Sequence, residues 1–257
     1  HPRDRRQRQM CIRDRVIIQA YVEWGEKCVE YFNGMWAFAI LDKRKNPRIF
    51  CSRDRMGIKP FYYRKDDQRL IFCSEIKAFD GVYDFKLKLN NGVAWDHLVY
   101  GPKNFGDTIV REITQLEPGS NMLISDGKVS INRYFKIEDS FDNQNRTFDI
   151  HEVDSLLINS VKLRLRSDVP VATINSGGLD SSIISSIASK SIDNLHTYSV
   201  HPIRPTNHKG HLPGDEKKFA DKLAYFIKSK HKTITYDPET FLGYLEKTVN
   251  SNDGELY

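Results

Sequence analysis

The alternation of apolar and polar positions divides the chain into a first part of short, closely spaced strands and a second part in which strands and helices take turns. Val16 to Phe32 places Ile17, Tyr21, Trp24 and Cys28 or Val29 at helical spacing, which predicts a helix with one inward face. The apolar run Met35 to Leu41 predicts an interior strand, and Arg48 to Ser52, Phe61 to Tyr63 and Leu70 to Cys73 predict three more. Between the second and third, Gly57 supplies an unusual backbone angle and Pro60 fixes the entry into the next strand. Arg53, Asp54 and Arg55, charges at a strand end, read as an exposed structural ion-pair cluster. Strands and short turns are expected to continue to about Tyr134. Leu116-Glu117-Pro118-Gly119-Ser120 turns into a strand Asn121 to Ile124, and Asp126-Gly127 closes a hairpin onto Val129 to Tyr134. The polar stretch Glu138 to Arg146 predicts a linker, which separates domains at about 16–137 and 150–257.

Past the linker the period changes. His151 to Leu165 predicts a helix with Val153, Leu156, Leu157, Val161 and Leu165 on one side, and His151 itself on the surface. Val169, Val171, Ala172 and Ile174 form a β-branched segment suited to a strand buried on both faces of a parallel sheet. After Ser176-Gly177-Gly178, the positions Ile183, Ile184, Ile187 and Ala188 mark a helix packed on that sheet. Leu195 to Val200 predicts the next strand. Asp215 to Lys230 predicts a helix with Phe219, Leu223, Phe226 and Ile227 inward, followed by a strand Thr233 to Tyr236 and a helix from Phe241 to Val249. This alternation is that of an α/β unit with a parallel sheet. The intervening His201 to Gly214 reads as a long loop, in which His201, His208 and His211 lack any standard metal-ligand spacing.

Composition narrows the classes. A length of 257 residues suits roughly two domains. Six Arg and two Asp in the first 15 residues carry +4 of the net charge of +5, so the remainder gives little support to nucleic-acid binding. Those 15 residues have almost no apolar content and no period, and they are expected to form neither helix nor strand. We read them as a non-native leader in place of the true N-terminus. The four Cys, at 11, 28, 51 and 73, show neither a metal pattern nor a disulfide framework, which suits a reducing cytoplasm. Cys28, Cys51 and Cys73 are expected as buried small hydrophobes. No apolar run approaches the roughly 20 residues of a membrane span.

The chemistry concentrates at Asn175-Ser-Gly-Gly-Leu-Asp-Ser-Ser182. Two glycines between a strand and a helix allow a sharp turn and a close approach of the backbone to a ligand. The turn then lies at a helix N-terminus, where free amides and the positive dipole end favour an anion. Ser176, Ser181 and Ser182 add hydroxyl donors, and Asp180 is placed to hold a divalent cation bridging phosphates. Helix capping accounts for each residue taken singly, but not for the whole run.

The run lacks the Lys of a P-loop and resembles the pyrophosphate loop of ATP pyrophosphatases, which adenylate a carboxyl or carbonyl group and release pyrophosphate. Upstream, Gly34-Met-Trp-Ala-Phe-Ala-Ile-Leu-Asp42, Arg53-Asp-Arg-Met-Gly-Ile-Lys-Pro-Phe-Tyr-Tyr63 and Phe72-Cys-Ser-Glu-Ile-Lys-Ala78 resemble the later half of a class II glutamine amidotransferase domain. In this order, with Arg166-Ser-Asp-Val-Pro170, the motifs resemble glutamine-hydrolysing asparagine synthetases from about Val16 onward.

The resemblance implies an α+β, Ntn-hydrolase-like first domain and an α/β ATP-pyrophosphatase second domain, as an internal fragment. It implies ATP and pyrophosphate binding by Asn175, Ser176, Gly177, Gly178, Leu179, Asp180, Ser181 and Ser182, adenosine binding by Ser199 and Val200, and Mg²⁺ at Asp180. It further implies glutamine, aspartate and ATP as substrates, a β-aspartyl adenylate, an ammonia channel between domains, a cytoplasmic location and a homodimer, with no nucleic acid and no membrane as partners.

The sequence also departs from the family. Asn175 stands where Leu is common, and His201-Pro202 where Gly is usual. The glutaminase nucleophile of the family is an N-terminal Cys, whereas residue one here is His1. Arg13, beside Asp14, falls at the family's acidic glutamine clamp. No glutaminase residue is therefore carried over and no glutaminase activity is expected of the chain as given. The family's Ser-Gly-acid-Gly-x-Asp-Glu segment is expected after Tyr257. A related amidotransferase, a β-lactam-type synthetase on another carboxylate, and a non-catalytic nucleotide-binding scaffold are the alternative readings.

Overall fold

The computed structural model describes residues 12–44, 46–101, 106–141, 149–203 and 216–251, in two compact units divided between residues 143 and 144. Residues 1–11, residues 142–148 of the expected linker, and His208 and His211 lie outside the described residues.

The first unit opens with helix α1 (Ile12–Trp24) and a 3₁₀ stretch (Gly25–Tyr31). Ile12 to Arg15, expected to be irregular, form its first turn. The helix ends before Phe32 because Gly25 takes φ +60, a left-handed conformation that stops an α-helix. Ala20, Tyr21, Cys28 and Val29 are buried, but Trp24, expected inward, is 46% exposed and packs on Tyr31.

Among the described residues eight strands and one α-helix follow: β1 (Ala37–Asp42), β2 (Arg48–Arg53), β3 (Tyr62–Lys65), β4 (Leu70–Cys73), α2 (Asn91–Tyr100), β5 (Gly106–Asp107), β6 (Thr114–Gln115), β7 (Ser120–Ser125) and β8 (Lys128–Arg133). They form two antiparallel sheets, in the orders β1-β2-β7-β8 and β4-β3-β6-β5. The strand β1, expected to be interior, is the end strand of its sheet among the described residues, and Leu41 is exposed. A strand with one neighbour need not bury both faces, so an apolar run alone does not place it inside. Helix α2 was not foreseen. Asn90, Asn91 and Gly92 at its start read as a turn, and it buries no side chain, so it carries no inward stripe to detect.

The sheets stack because alternate residues of β2 point to opposite sides. Phe50 faces α1, joining Ala20, Tyr21, Cys28, Val29 and Trp36. Cys51 faces the other way, where with Met122 it meets Tyr63 and Phe72 of the second sheet and Phe61 and Leu116 beside it. Burial accounts for the thiols: desolvation pushes Cys28 up to about 11, against weaker backbone hydrogen bonds that lower it, and Cys51 up to about 12. Cys73 is half-buried, contrary to expectation, and its Sγ donates to Glu75 O. Iodoacetamide at pH 8 is accordingly expected to alkylate Cys73 while leaving Cys28 and Cys51 unmodified until urea unfolds the unit. Peptide mass spectrometry checks this, and prompt labelling of Cys51 in the native protein would contradict the packing.

Arg53 and Asp54 are also a correction. They are 2% and 1% exposed, not surface charges, and Asp54 is occupied with backbone amides. Its Oδ1 accepts from Met56 N and Ile58 N, and its Oδ2 from Trp36 N and Lys59 N, all at 3.0–3.1 Å. Arg53 donates to the carbonyls of Lys59, Gly57 and Leu116. The two side chains thus hold the turn after β2 in place of a regular ladder.

The second unit runs α3 (Ile150–Arg164), β9 (Ala172–Ile174), α4 (Leu179–Ser189), β10 (His196–Pro202), α5 (Lys217–Phe226), β11 (Lys230–Tyr236) and α6 (Pro238–Ser251). The three strands form a parallel sheet in the order β11-β10-β9. Asp149 caps α3 by accepting from His151 N, and His151 is exposed as expected. Several inward assignments do not hold. In α3 only Val161 is buried, while Val153, Leu156 and Leu157 are exposed. In β9 only Thr173 is buried, and Ile174 is 76% exposed. In α4, Ile187 and Ala188 are buried but Ile184 is not; Ser185 takes a core place, hydrogen-bonded to Thr173 at 2.9 Å. In α5 the buried residues are Ala220 and Ala224, with Phe219 and Phe226 exposed. Along β9 and β10 buried residues alternate with exposed ones, so that Thr173, Thr197, Ser199 and His201 share the buried side and Ile174 and Val200 the exposed one.

Candidate functional site

At the end of β9 the ladder continues one residue further, as Asn175 N donates to Tyr198 O at 2.8 Å. The chain then turns through Gly177, whose φ of +95 is open to glycine and costly to other residues. A Cβ on Gly177 would lie 2.3 Å from Glu216 O and 3.0 Å from Ala220 N, so the first turn of α5 packs directly against the loop. This close approach is to the protein's own helix, and it is what demands glycine here. Gly178, at φ −72, is less constrained: its Cβ would meet Glu216 Oε2 at 3.2 Å and Ser176 Oγ at 3.4 Å.

Gly178 is the N-cap of α4, and no side chain caps the helix. The first helical bond runs from Ser182 N to Gly178 O, so the amides of Leu179, Asp180 and Ser181 precede the ladder. Serine hydroxyls line the same turn. Ser176 Oγ lies 3.0 Å from Ser181 Oγ and accepts from Gly178 N at 3.3 Å, while Ser181 Oγ donates to Gly178 O at 3.2 Å. Asp180 is exposed in the first turn of α4. A helix entrance with uncapped amides, two adjacent hydroxyls and one exposed carboxylate has the donors for a polyphosphate and an acceptor for its cation.

The structure therefore gathers Ser176, Gly177, Gly178, Leu179, Asp180 and Ser181 at one turn. Two of the expected residues do not face it. Asn175 is fully buried beneath the loop, and Ser199 is fully buried against His231 Nε2 at 3.1 Å and Thr233 Oγ1 at 3.3 Å. Alternation along β10 explains the second case: Ser199 points toward α5 and Val200, 56% exposed, points away. Thr197 Oγ1 sits 2.8 Å from His231 Nδ1 on the same buried side, where desolvation draws the His231 pKa down. That polar layer of Thr197, Ser199, His201, His231 and Thr233 went unread in the sequence, although the residue alternation of two adjacent strands carries it. No cluster of three metal-ligating side chains occurs among the described residues.

Fold and site together define a two-unit α/β protein, in which antiparallel sheets precede a parallel sheet with an anion-receptive turn at a strand's carboxyl end. Comparison with known proteins makes this specific. Residues 13–135 match the family model described as a glutamine amidotransferase domain, and residues 152–256 that described as asparagine synthase. The chain belongs to the glutamine-hydrolysing asparagine synthetase family. It is 32% identical over 252 residues to the Bacillus subtilis protein named asparagine synthetase (glutamine-hydrolysing) 3, covering 93% of this chain and 40% of that one. With the Methanocaldococcus jannaschii protein named putative asparagine synthetase (glutamine-hydrolysing) 2 the identity is 38% over 238 residues, 90% of this chain and 44% of the relative. Escherichia coli asparagine synthetase B is 32% identical over 179 residues, 68% of this chain and 27% of its own. The chain thus spans less than half the length of these curated relatives. No helix among the described residues is long and apolar enough to cross a membrane.

Proposed function

We propose that this chain serves ATP-dependent, glutamine-hydrolysing asparagine synthesis. A β-carboxylate oxygen of aspartate attacks the α-phosphorus of ATP and pyrophosphate leaves; ammonia from glutamine then attacks the β-carbonyl of the adenylate and AMP leaves. The observation that carries this reading is the uncapped N-terminus of α4 beside Gly177. Its amides are fixed before the ligand arrives, so they stabilise charge gathering on the leaving pyrophosphate without reorganising. Ser176 and Ser181 would exchange their mutual hydrogen bond for phosphate oxygens, and the exposed Val200 would border the adenosine. Asp180, exposed in the first turn of α4, would hold Mg²⁺, which would neutralise phosphate charge. The first unit, with a helix layer over two stacked antiparallel sheets, would be Ntn-hydrolase-like and supply the amidotransferase scaffold. A cytoplasmic location and a homodimer complete the reading.

Asp180→Ala is expected to weaken Mg-ATP binding more than about 10-fold by calorimetry, the scale of one lost charged contact to the cation. The mutation removes an exposed side chain and leaves the amides in place, so thermal stability should hardly change. Mg-ATP binding equal in both proteins would remove Asp180 from the site. Absence of binding in the folded wild type would overturn the nucleotide reading itself.

A further inference from the structure

Asn175 is the one member of the expected phosphate-binding run that is fully buried, and each polar atom of its side chain has a partner. Its Oδ1 accepts from Gly177 N at 3.2 Å, and its Nδ2 donates to Ala220 O, within α5, at 3.0 Å. The amide orientation follows from these partners, since the flipped group would set NH₂ against N–H and oxygen against oxygen. Through its backbone it also binds Tyr198 O of β10. One residue therefore ties the sheet, the loop and α5 together. It does so at the glycine whose left-handed conformation aims the chain into α4.

We propose that Asn175 is a positioning residue of the phosphate loop: it never touches the ligand, but fixes Gly177 against α5 and so orients the amides of Leu179, Asp180 and Ser181. The buried amide is an efficient device for this. Both of its hydrogen-bonding groups are satisfied within the protein, and in a low-dielectric setting each is directional and costly to break. An apolar side chain of similar size would fill the volume, but it would leave Gly177 N and Ala220 O without these partners. Against α5, Gly177 would then be held only by sterics with Glu216 and Ala220.

This inference rests on the polyphosphate reading for its purpose but not for its geometry, so the test separates the two. Amide exchange is followed by NMR in the ¹⁵N-labelled, full 257-residue chain and in its Asn175→Leu variant, with inorganic pyrophosphate and Mg²⁺ as the binding probe. Exchange at Gly177 is expected to rise at least about 10-fold in Asn175→Leu, the loss of one hydrogen bond, while Ile187 and Thr197 in the core keep wild-type protection. Pyrophosphate affinity should fall by a similar factor. In the wild type, pyrophosphate should shift the Asp180 and Ser181 amides and leave the Asn175 side-chain NH₂ unmoved.

Unchanged exchange at Gly177 in a folded variant would overturn the proposal. So would a ligand-induced shift of the Asn175 NH₂, which would make it a contact residue. If Asn175→Leu does not fold, the wild type decides: a side-chain NH₂ that exchanges as fast as a solvent-exposed amide is incompatible with the bond to Ala220 O. If pyrophosphate fails to bind the wild type, the nucleotide reading fails, while exchange at Gly177 still judges Asn175.

Discussion

Replacing Asp54 with Asn is expected to destabilise the first unit by about 3–5 kcal/mol, the range for breaking a buried, charged hydrogen-bond network, although the two side chains have the same shape. Asp54 is 1% exposed and its two carboxylate oxygens each accept two backbone amides. An asparagine keeps one acceptor oxygen and turns an NH₂ toward the other pair. Either Met56 and Ile58 or Trp36 and Lys59 then face a donor instead of an acceptor. Met56, Ile58 and Lys59 belong to a turn with no regular ladder to fall back on, so the loss spreads to the Arg53 contacts with Gly57, Lys59 and Leu116. Urea unfolding followed by tryptophan fluorescence measures the change. Glu112→Gln is the comparison, because its partner Arg64 lies across an exposed pair at 3.1 Å, where the expected change is about 0–1 kcal/mol. Equal effects in the two variants would show that the Asp54 network does not anchor the turn.

The second large effect is expected at Gly177→Ala, with a loss of pyrophosphate affinity on the order of 100-fold or more, since both strain and collision act on the same atoms. A Cβ there would lie 2.3 Å from Glu216 O, which is backbone and cannot swing aside, and the residue would still have to hold φ +95. Relief requires α5 to retreat or the loop to abandon its turn, and either course turns the α4 amides off target. Gly178→Ala is the informative contrast. Its φ is −72 and its Cβ would meet only the movable ends of Glu216 and Ser176, so a change within about 5-fold is expected. Calorimetry with Mg-pyrophosphate on both variants checks the order. Equal loss in both would mean that ligand approach, and not packing on α5, dictates the glycines.

These two sites also show how far the residues could be read. The run from Asn175 to Ser182 announced its turn and its helix because glycine and serine leave few alternatives between a β-branched segment and an apolar stripe. Asp126-Gly127 announced its hairpin for the same reason, and the structure gives both residues positive φ. Local chemistry of this kind is written in neighbouring residues. The change from closely spaced strands to alternating strands and helices was likewise legible, because the periods 2 and 3.6 are properties of the chain itself.

Partners distant along the chain were not legible. Arg53 and Asp54 looked like exposed charges because nothing nearby says that Trp36, Leu116 and the following turn will close over them. Trp24 and Phe226 looked inward because aromatic residues at helical spacing usually are, yet Gly25 turned the first helix aside and Ala220 and Ala224 took the inner face of α5. Sequence alone determined the turns at Gly177-Gly178 and Asp126-Gly127, the change from closely spaced strands to alternating strands and helices, and the donor groups carried by the loop. Only the tertiary structure decided which charges are buried, which glycine packs against α5, and that the Asn175 side chain bonds to Gly177 and Ala220. Those outcomes depend on which backbone groups from remote segments arrive at each side chain, and hydrogen bonding and close packing act only once they are there.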